Sequence, residues 1–209
     1  SLNQIVDVLN YNKIEKSDYS TSYEVCIADS SDNYDTEYLV DSLIEKKFRL
    51  IDFKYQRIPA EGIDKGYEHS VILSTGEFIW LLSDDDIITK FGINYLERTL
   101  HDEKKHDLYI LNGTLSDYFN KFILKQNRIS KESKEIFIWN QISYEERLKL
   151  FSYMCLISCL VFKREIWFNY NFNDEWDIQN KYFSHITRIF NGFNTSSSIK
   201  IIYEPIINI

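Results

Sequence analysis

Ser83-Asp84-Asp85-Asp86 follows directly on the apolar run Phe78-Ile79-Trp80-Leu81-Leu82. Three consecutive carboxylates at the mouth of a buried strand repel one another, which is costly unless a positive charge sits there. Hard divalent cations such as Mg²⁺ suit that place, because they take carboxylate oxygens and complete their shells with substrate phosphates. The competing reading is a hydrated acidic turn, and the position at a strand end is what weighs against it. A second acidic cluster, Asp29-Ser30-Ser31-Asp32, follows the apolar run Tyr23 to Ala28. Asp64 is either a ligand contact or a helix cap. His185 falls in mid-helix, where a structural histidine competes with a catalytic one. Lys54, Arg57 and Lys65 are of a type that reaches phosphate, but each reads as a surface charge.

The elements that must position these residues alternate. Leu2, Ile5, Val6 and Leu9 repeat at helical spacing. Tyr23 to Ala28 is a strand that stops at the dense turn signal Asp29 to Asn33. Asp35 or Thr36 caps a helix with Leu39, Val40, Leu43 and Ile44 on one face. Leu50 to Tyr55 is a second strand, followed by a loop and a helix through Tyr67, Val71 and Ile72 that ends at Gly76. Glu77 to Leu82 is a third strand, a helix follows from Lys90 to Leu100, and Asp107 to Leu111 is a fourth strand. Such alternation implies an α/β fold with a mainly parallel sheet flanked by helices. Ligands of such sheets sit beyond the C-terminal ends of strands, so Asp29 and Asp86 are expected to line one crevice.

After residue 112 the pattern is less regular. Ser143-Tyr144-Glu145-Glu146 is a capping box that starts a helix. Leu156 to Phe162 reads as a buried strand, Ile178 to Phe190 as a helix stopping at Gly192, and Ile199 to Tyr203 as a late strand. Tyr118, Phe119, Trp139 and Tyr153 are aromatics on which a sugar could stack, although most such residues simply pack. We read residues 1–209 as a single domain, with a ligand-binding half at 1–112 and a second half at 113–209.

Composition narrows the classes. With 44% hydrophobic and 16% aromatic residues among 209, a sizeable core is expected, and 6 Gly with 2 Pro argue against a disordered or repetitive chain. A net charge of −8 disfavours nucleic acid as a partner, because the basic footprint is missing. Cys26, Cys155 and Cys159 lie in apolar segments and read as reduced, buried thiols of a reducing compartment. No stretch reaches the roughly 18 apolar residues a membrane span needs, and no signal peptide is visible. The expected location is cytoplasmic, with peripheral contact at the inner face of the plasma membrane left open.

Three segments carry a family likeness in their order and spacing: Tyr23-Glu24-Val25-Cys26-Ile27-Ala28-Asp29-Ser30-Ser31-Asp32, then Gly62-Ile63-Asp64, then Ser74-Thr75-Gly76-Glu77-Phe78-Ile79-Trp80-Leu81-Leu82-Ser83-Asp84-Asp85-Asp86. Weaker matches are Ser158 to Glu165 and the late helix holding His185. The chain resembles inverting family-2 glycosyltransferases of the GT-A fold, and within them the bacterial abequosyltransferase-type branch that builds surface polysaccharide such as lipopolysaccharide or capsule. The resemblance implies a nucleotide-diphosphate sugar donor and a saccharide or lipid-linked acceptor. It implies nucleotide-sugar contacts at Asp29, Ser31, Asp64, Asp84 and Asp85, and Mg²⁺ or Mn²⁺ on Asp86 with Asp84. The base implied for the acceptor hydroxyl is one of Asp174, Asp177 and His185, with Glu175 also in reach.

The family normally opens with a strand ending in a Pro-x-Tyr/Phe-Asn turn, whereas this chain begins at what looks like the following helix. The opening so left is expected to be filled by a partner chain, a rearranged strand or a further N-terminal segment, a homodimer being the simplest version. Two other functions stay in play. A nucleotidyltransferase also uses carboxylates, metal and nucleotide, but wants a Gly-rich basic phosphate loop that is not visible. A non-catalytic GT-A-like binding module would retain the fold without the chemistry.

Overall fold

The computed structural model describes residues 2, 5–7, 22–46, 51–89, 91–101, 104–117, 123–131, 134–169 and 183–209. Residues 2 and 5–7 are helical, with Val6 buried, as their spacing predicts. Strands β1 (Tyr23–Asp29) and β2 (Ile51–Arg57) pair in parallel, from Tyr23 opposite Ile51 to Asp29 opposite Arg57. Parallel neighbours need a crossover, and helix α1 (Asp35–Glu45) supplies it, burying Val40 and Leu43. The cap position falls on Tyr34 rather than on Asp35 or Thr36, with no side-chain cap, and the Asn33 side chain accepts from the Asp35 amide at 3.1 Å just before it. Helix α2 (Ile63–Leu73) follows Gly62, whose φ of 104° is backbone that side chains rarely adopt.

The chain then builds a seven-stranded sheet from β3 (Phe78–Trp80), β4 (Ile87–Ile88), β5 (Leu108–Ser116), β6 (Ile123–Lys125), β7 (Ile136–Ile138), β8 (Leu160–Lys163) and β9 (Ser198–Asn208). Its order is β3-β8-β5-β9-β4, with β6 on β5 and β7 on β9. Helix α3 (Gly92–His101) lies between β4 and β5, and α4 (Tyr144–Met154), α5 (Arg164–Phe168) and α6 (Ser184–Asn191) come from the second half. The α/β class is as expected, but the sheet is mixed rather than mainly parallel. β8 runs antiparallel to both β3 and β5, while β5 and β9 are parallel, so β3, β5 and β9 share one direction. Strand direction leaves no mark in hydropathy, and β8 enters between strands of the first half from far along the chain.

The core explains the sheet's position. Alternate residues of the central strands face opposite layers. Leu108, Ile110, Leu160, Phe162, Ile199 and Ile201 meet Leu150, Met154, Ile166 and Ile189 of α4, α5 and α6. Tyr109, Leu111, Val161 and Ile202 meet Leu96 of α3. Such two-sided burial is why these strands read as unbroken apolar runs. The capping box at α4 is present: Ser143 Oγ accepts from the Glu146 amide and Glu146 accepts from the Ser143 amide. The expected strand Leu156 to Phe162 divides into a 3-10 turn, Ile157–Cys159, and β8.

Among the described residues β1 ladders only with β2, and β3 only with β8, so the two sheets are not joined by backbone pairing. A side chain ties them instead. The Glu24 carboxylate on β1 accepts from the Thr75 and Gly76 amides, at 2.7 and 3.1 Å, in the turn that leads into β3. No helix among the described residues is long and apolar enough to cross a membrane.

Candidate functional site

Asp29 ends β1 with its side chain buried, 6% exposed. Its Oδ1 accepts from the Ser31 amide at 3.0 Å and its Oδ2 from the Tyr55 hydroxyl at 2.8 Å. Burial alone would raise its pKa; the hydrogen bonds from Ser31 and Tyr55, with the Arg57 charge, outweigh it and hold the group below the ordinary carboxylate range. Arg57 donates to the Ser31 carbonyl at 2.8 Å and lies 4.3 Å over the exposed Tyr34 ring. Arg57 therefore belongs to the Asp29 turn. Lys54 and Lys65 are engaged in ion pairs with Glu24 and Glu68, at 2.9 and 2.8 Å, as surface charges would be.

The acidic turn lies beyond the C-terminal end of β3. Asp84 and Asp85 are exposed and Asp86 is half-buried. The Ser83 hydroxyl donates to Asp85 at 2.5 Å, and the Ser83 amide donates to the Ser158 hydroxyl at 2.8 Å. Burial, together with the charges of Asp85 and Asp84, pushes the Asp86 pKa up, and a hydrogen bond from Ser158 opposes this. Trp80 is half-buried and donates its indole N–H to the Ser158 carbonyl at 2.8 Å. Sequence reasoning placed Ser158 only at the start of a weaker family match and gave it no role, because its contacts reach residues 75 and 78 positions away.

Asp64 is not the helix cap, since Gly62 occupies that position. Its Oδ1 accepts from the Ser184 hydroxyl at 2.7 Å and so joins the N-terminal ends of α2 and α6. Tyr67 lies one turn further along α2. Its hydroxyl is pushed up to about 12 by burial and then by the charges of Asp64, Asp85, Asp84 and Asp86. The Tyr67 hydroxyl thus feels the charges of both Asp64 and the triplet. Asp29 keeps its own partners on β1, β2 and the turn between them and α1.

His185 is buried, 3% exposed, on α6. One ring nitrogen, Nε2, lies 3.3 Å from the Met154 carbonyl, which accepts its proton, and Nδ1 is buried with no partner among the described residues. Tyr67 meets the ring edge-on at 6.1 Å. Burial lowers its pKa against weaker upward pulls from Met154 and Asp64, which keeps the ring neutral. Asp174, Glu175 and Asp177 lie outside the described residues, as do Tyr118 and Phe119. Trp139 packs on Phe190 and Phe193, with ring centroids at 4.8 and 5.2 Å, and with Arg147 above it.

Among the described residues no group of three or more His, Cys, Asp or Glu side chains converges as a closed metal cage. The exposed Asp84 and half-buried Asp86 are instead hard oxygen donors on an open turn. That fits Mg²⁺ or Mn²⁺, which bind through one or two carboxylates and take remaining ligands from phosphate and water.

No family model matches the chain, and comparison with curated proteins finds no match. Solved structures do match. Staphylococcus aureus TarS residues 1–349 in complex with UDP superposes with a TM-score of 0.62 at 14% identity, covering 99% of this chain and 56% of that one. The same protein in complex with UDP-GlcNAc gives 0.58 at 13% identity, covering 99% and 54%. A longer TarS structure gives 0.57 at 14% identity, covering 98% and 34%. The chain thus spans little more than half of TarS 1–349. At these identities the likeness is one of fold, and the fold is α/β of the GT-A-like kind.

Proposed function

We propose that the chain is a glycosyltransferase that moves a sugar from a nucleotide-diphosphate donor to a saccharide or lipid-linked acceptor with inversion. The observation that carries the reading is the acidic turn Asp84 to Asp86 beyond the C-terminal end of β3 in a TarS-like fold. Asp29 would hold the nucleotide. It stays ionised at neutral pH, and each carboxylate oxygen keeps a lone pair for a base N–H or ribose hydroxyl after accepting from Ser31 or Tyr55. Ser31 shapes that turn through its amide. Asp64 and Asp85 border the sugar.

Asp86 and Asp84 would hold Mg²⁺ or Mn²⁺, which supplies positive charge for the departing diphosphate. The acceptor hydroxyl attacks the anomeric carbon as the carbon–oxygen bond to phosphate breaks, and the bonding pair leaves with the nucleoside diphosphate. A base takes the hydroxyl proton as the new glycosidic bond forms. We assign that base to Asp174 or Asp177 rather than to His185, whose buried, neutral ring is tied to Met154 and suits packing. The abequosyltransferase-type branch, and with it a role in bacterial surface polysaccharide at the inner face of the plasma membrane, is supported by the sequence motifs alone.

A second reading has one observation in its favour. β1 and β2 stand apart from the seven-stranded sheet among the described residues, as a non-catalytic binding module could tolerate and an enzyme must bridge. Thermal shift with UDP and Mn²⁺ tests donor binding, and release of free sugar from UDP-sugars tests catalysis. Stabilisation without turnover selects the binding module; neither response rejects the nucleotide-sugar reading altogether.

A further inference from the structure

We propose that the start of α6 is a sugar subsite, at which a sugar hydroxyl donates a hydrogen bond to His185 Nδ1 beside Asp64. The inference rests on the glycosyltransferase reading above and gives His185 a ligand which that reading leaves out.

His185 is only 3% exposed. Its Nε2 faces the Met154 carbonyl at 3.3 Å. A carbonyl only accepts, so Nε2 carries the ring proton and Nδ1 holds a bare lone pair. Nδ1 meets no donor among the described residues. A buried acceptor left bare destabilises a fold, and in native structures such atoms are few and call for a reason. The two ring nitrogens point to different sides of the imidazole, so Nδ1 is turned away from Met154 at the end of α4.

The surroundings select the donor. Asp64 of α2 meets the start of α6, where its Oδ1 accepts from the Ser184 hydroxyl at 2.7 Å. Its Oδ2 has no hydrogen bond among the described residues, and Asp64 is half-buried. Lys65 and Arg188, on the same two helices, are both paired with Glu68, at 2.8 and 2.9 Å. The place thus offers acceptors while these cations are engaged. An anionic ligand would be repelled by Asp64, and an ammonium would have to shed its water against aromatic rings. Neutral hydroxyl groups meet the need. Tyr67, edge-on to the imidazole at 6.1 Å, and Phe183, at 6.3 Å, add apolar surface for the carbon face of a sugar ring. Phe183 is exposed and also packs on Phe151 of α4 at 5.8 Å. It is the ring that swings aside for a hydroxyl to reach Nδ1. The hydroxyl held there does not react; it orients the sugar, and the base stays with the aspartates assigned above.

The test is long-range proton–nitrogen NMR of the imidazoles in the whole chain, with the His185 ring assigned through its own side-chain protons. UDP, UDP-GlcNAc and the methyl glycosides of glucose, galactose, mannose and rhamnose are added in turn with Mg²⁺. In the free protein the His185 Nδ1 signal is expected at the position of a bare lone pair. A hydrogen-bonded Nδ1 in the free protein overturns the inference. Movement with UDP-GlcNAc but not UDP supports it and assigns the subsite to the donor sugar; saturable movement with a methyl glycoside supports it and assigns the subsite to the acceptor. No movement with any sugar overturns it, and the nucleotide-sugar reading still stands if UDP binds. His185→Gln keeps an N–H for Met154 but removes the ring acceptor, and should weaken the sugar roughly tenfold without changing UDP affinity. His185→Asn places an amide oxygen near Nδ1 and should keep the sugar. Equal sugar affinity in wild type and His185→Gln, or equal losses in both variants, marks a packing residue and overturns the inference. If neither variant folds, the wild-type spectrum decides.

Discussion

At the scale of single residues, two carboxylates are held in opposite ways. Asp86 is half-buried among like charges, so its ionised form is disfavoured, and the proposed cation would relieve that. Asp86→Asn should therefore abolish Mn²⁺-dependent UDP binding while leaving the apo melting temperature unchanged or higher. Equal metal-dependent affinity would mean that the turn is merely hydrated. Glu24 is the reverse case. Burial would raise its pKa, but hydrogen bonds from the Thr75 hydroxyl and amide, from Lys54 and from the Gly76 amide bring it down to about 2. A depressed pKa contributes stability that is present above the unfolded value near 4.5 and is lost as pH falls through that value toward about 2. Discounted for partial exposure, this amounts to about 1–2 kcal/mol at pH 7. Glu24→Gln should lose that much in urea melts at pH 7, with the gap to wild type narrowing as pH drops below 4.5. A gap that stays constant down to the acid limit would show that the carboxylate charge contributes nothing.

At the scale of elements, legibility followed the range of the interaction. The capping box at Ser143 was readable because its two partners are three residues apart. β1, β2, α1, α2 and β5 were readable from apolar periodicity and turn chemistry. The break before β8 was not, since it depends on a contact 75 residues distant. Nor was the role of Asp64, which resembles a cap but accepts from Ser184, 120 residues on. Gly192 had been read only as a helix stop, yet the structure gives it a tighter duty. A Cβ there would lie 2.0 Å from the Ile166 carbonyl oxygen, so its hydrogen-only side chain lets the end of α6 close on α5. Its φ of −77° is ordinary, and the constraint is therefore space. Gly192→Ala should cost about 3 kcal/mol by overpacking, lowering Tm by roughly 6–12 °C. A neutral or stabilising effect, as the higher helix propensity of Ala alone would give, would refute the close approach.

At the scale of the whole molecule, the candidate site straddles regions of unequal firmness. β5 is buried from Leu108 to Thr114, whereas β1 buries only Asp29 and β2 only Ile51. A two-stranded sheet is marginal by itself, and here it is tied to the larger sheet through Glu24 and helix packing rather than a ladder. Opening free energies should differ accordingly. Hydrogen exchange is expected to be faster at the amides of β1 and β2 than at Tyr109, Leu111, Ile201 and Ile202. If Asp29 holds the nucleotide as proposed, UDP with Mn²⁺ should slow exchange at β1 and β2. The same measurement addresses the expected homodimer. Strand edges that lack a neighbour invite pairing with another chain, so protection confined to β1 and β3 that rises with protein concentration would identify self-association along those edges. Protection as high in β1 and β2 as in β5, independent of ligand and concentration, would mean that the donor side is already a rigid part of the sheet. The idea that nucleotide binding completes it would then be wrong.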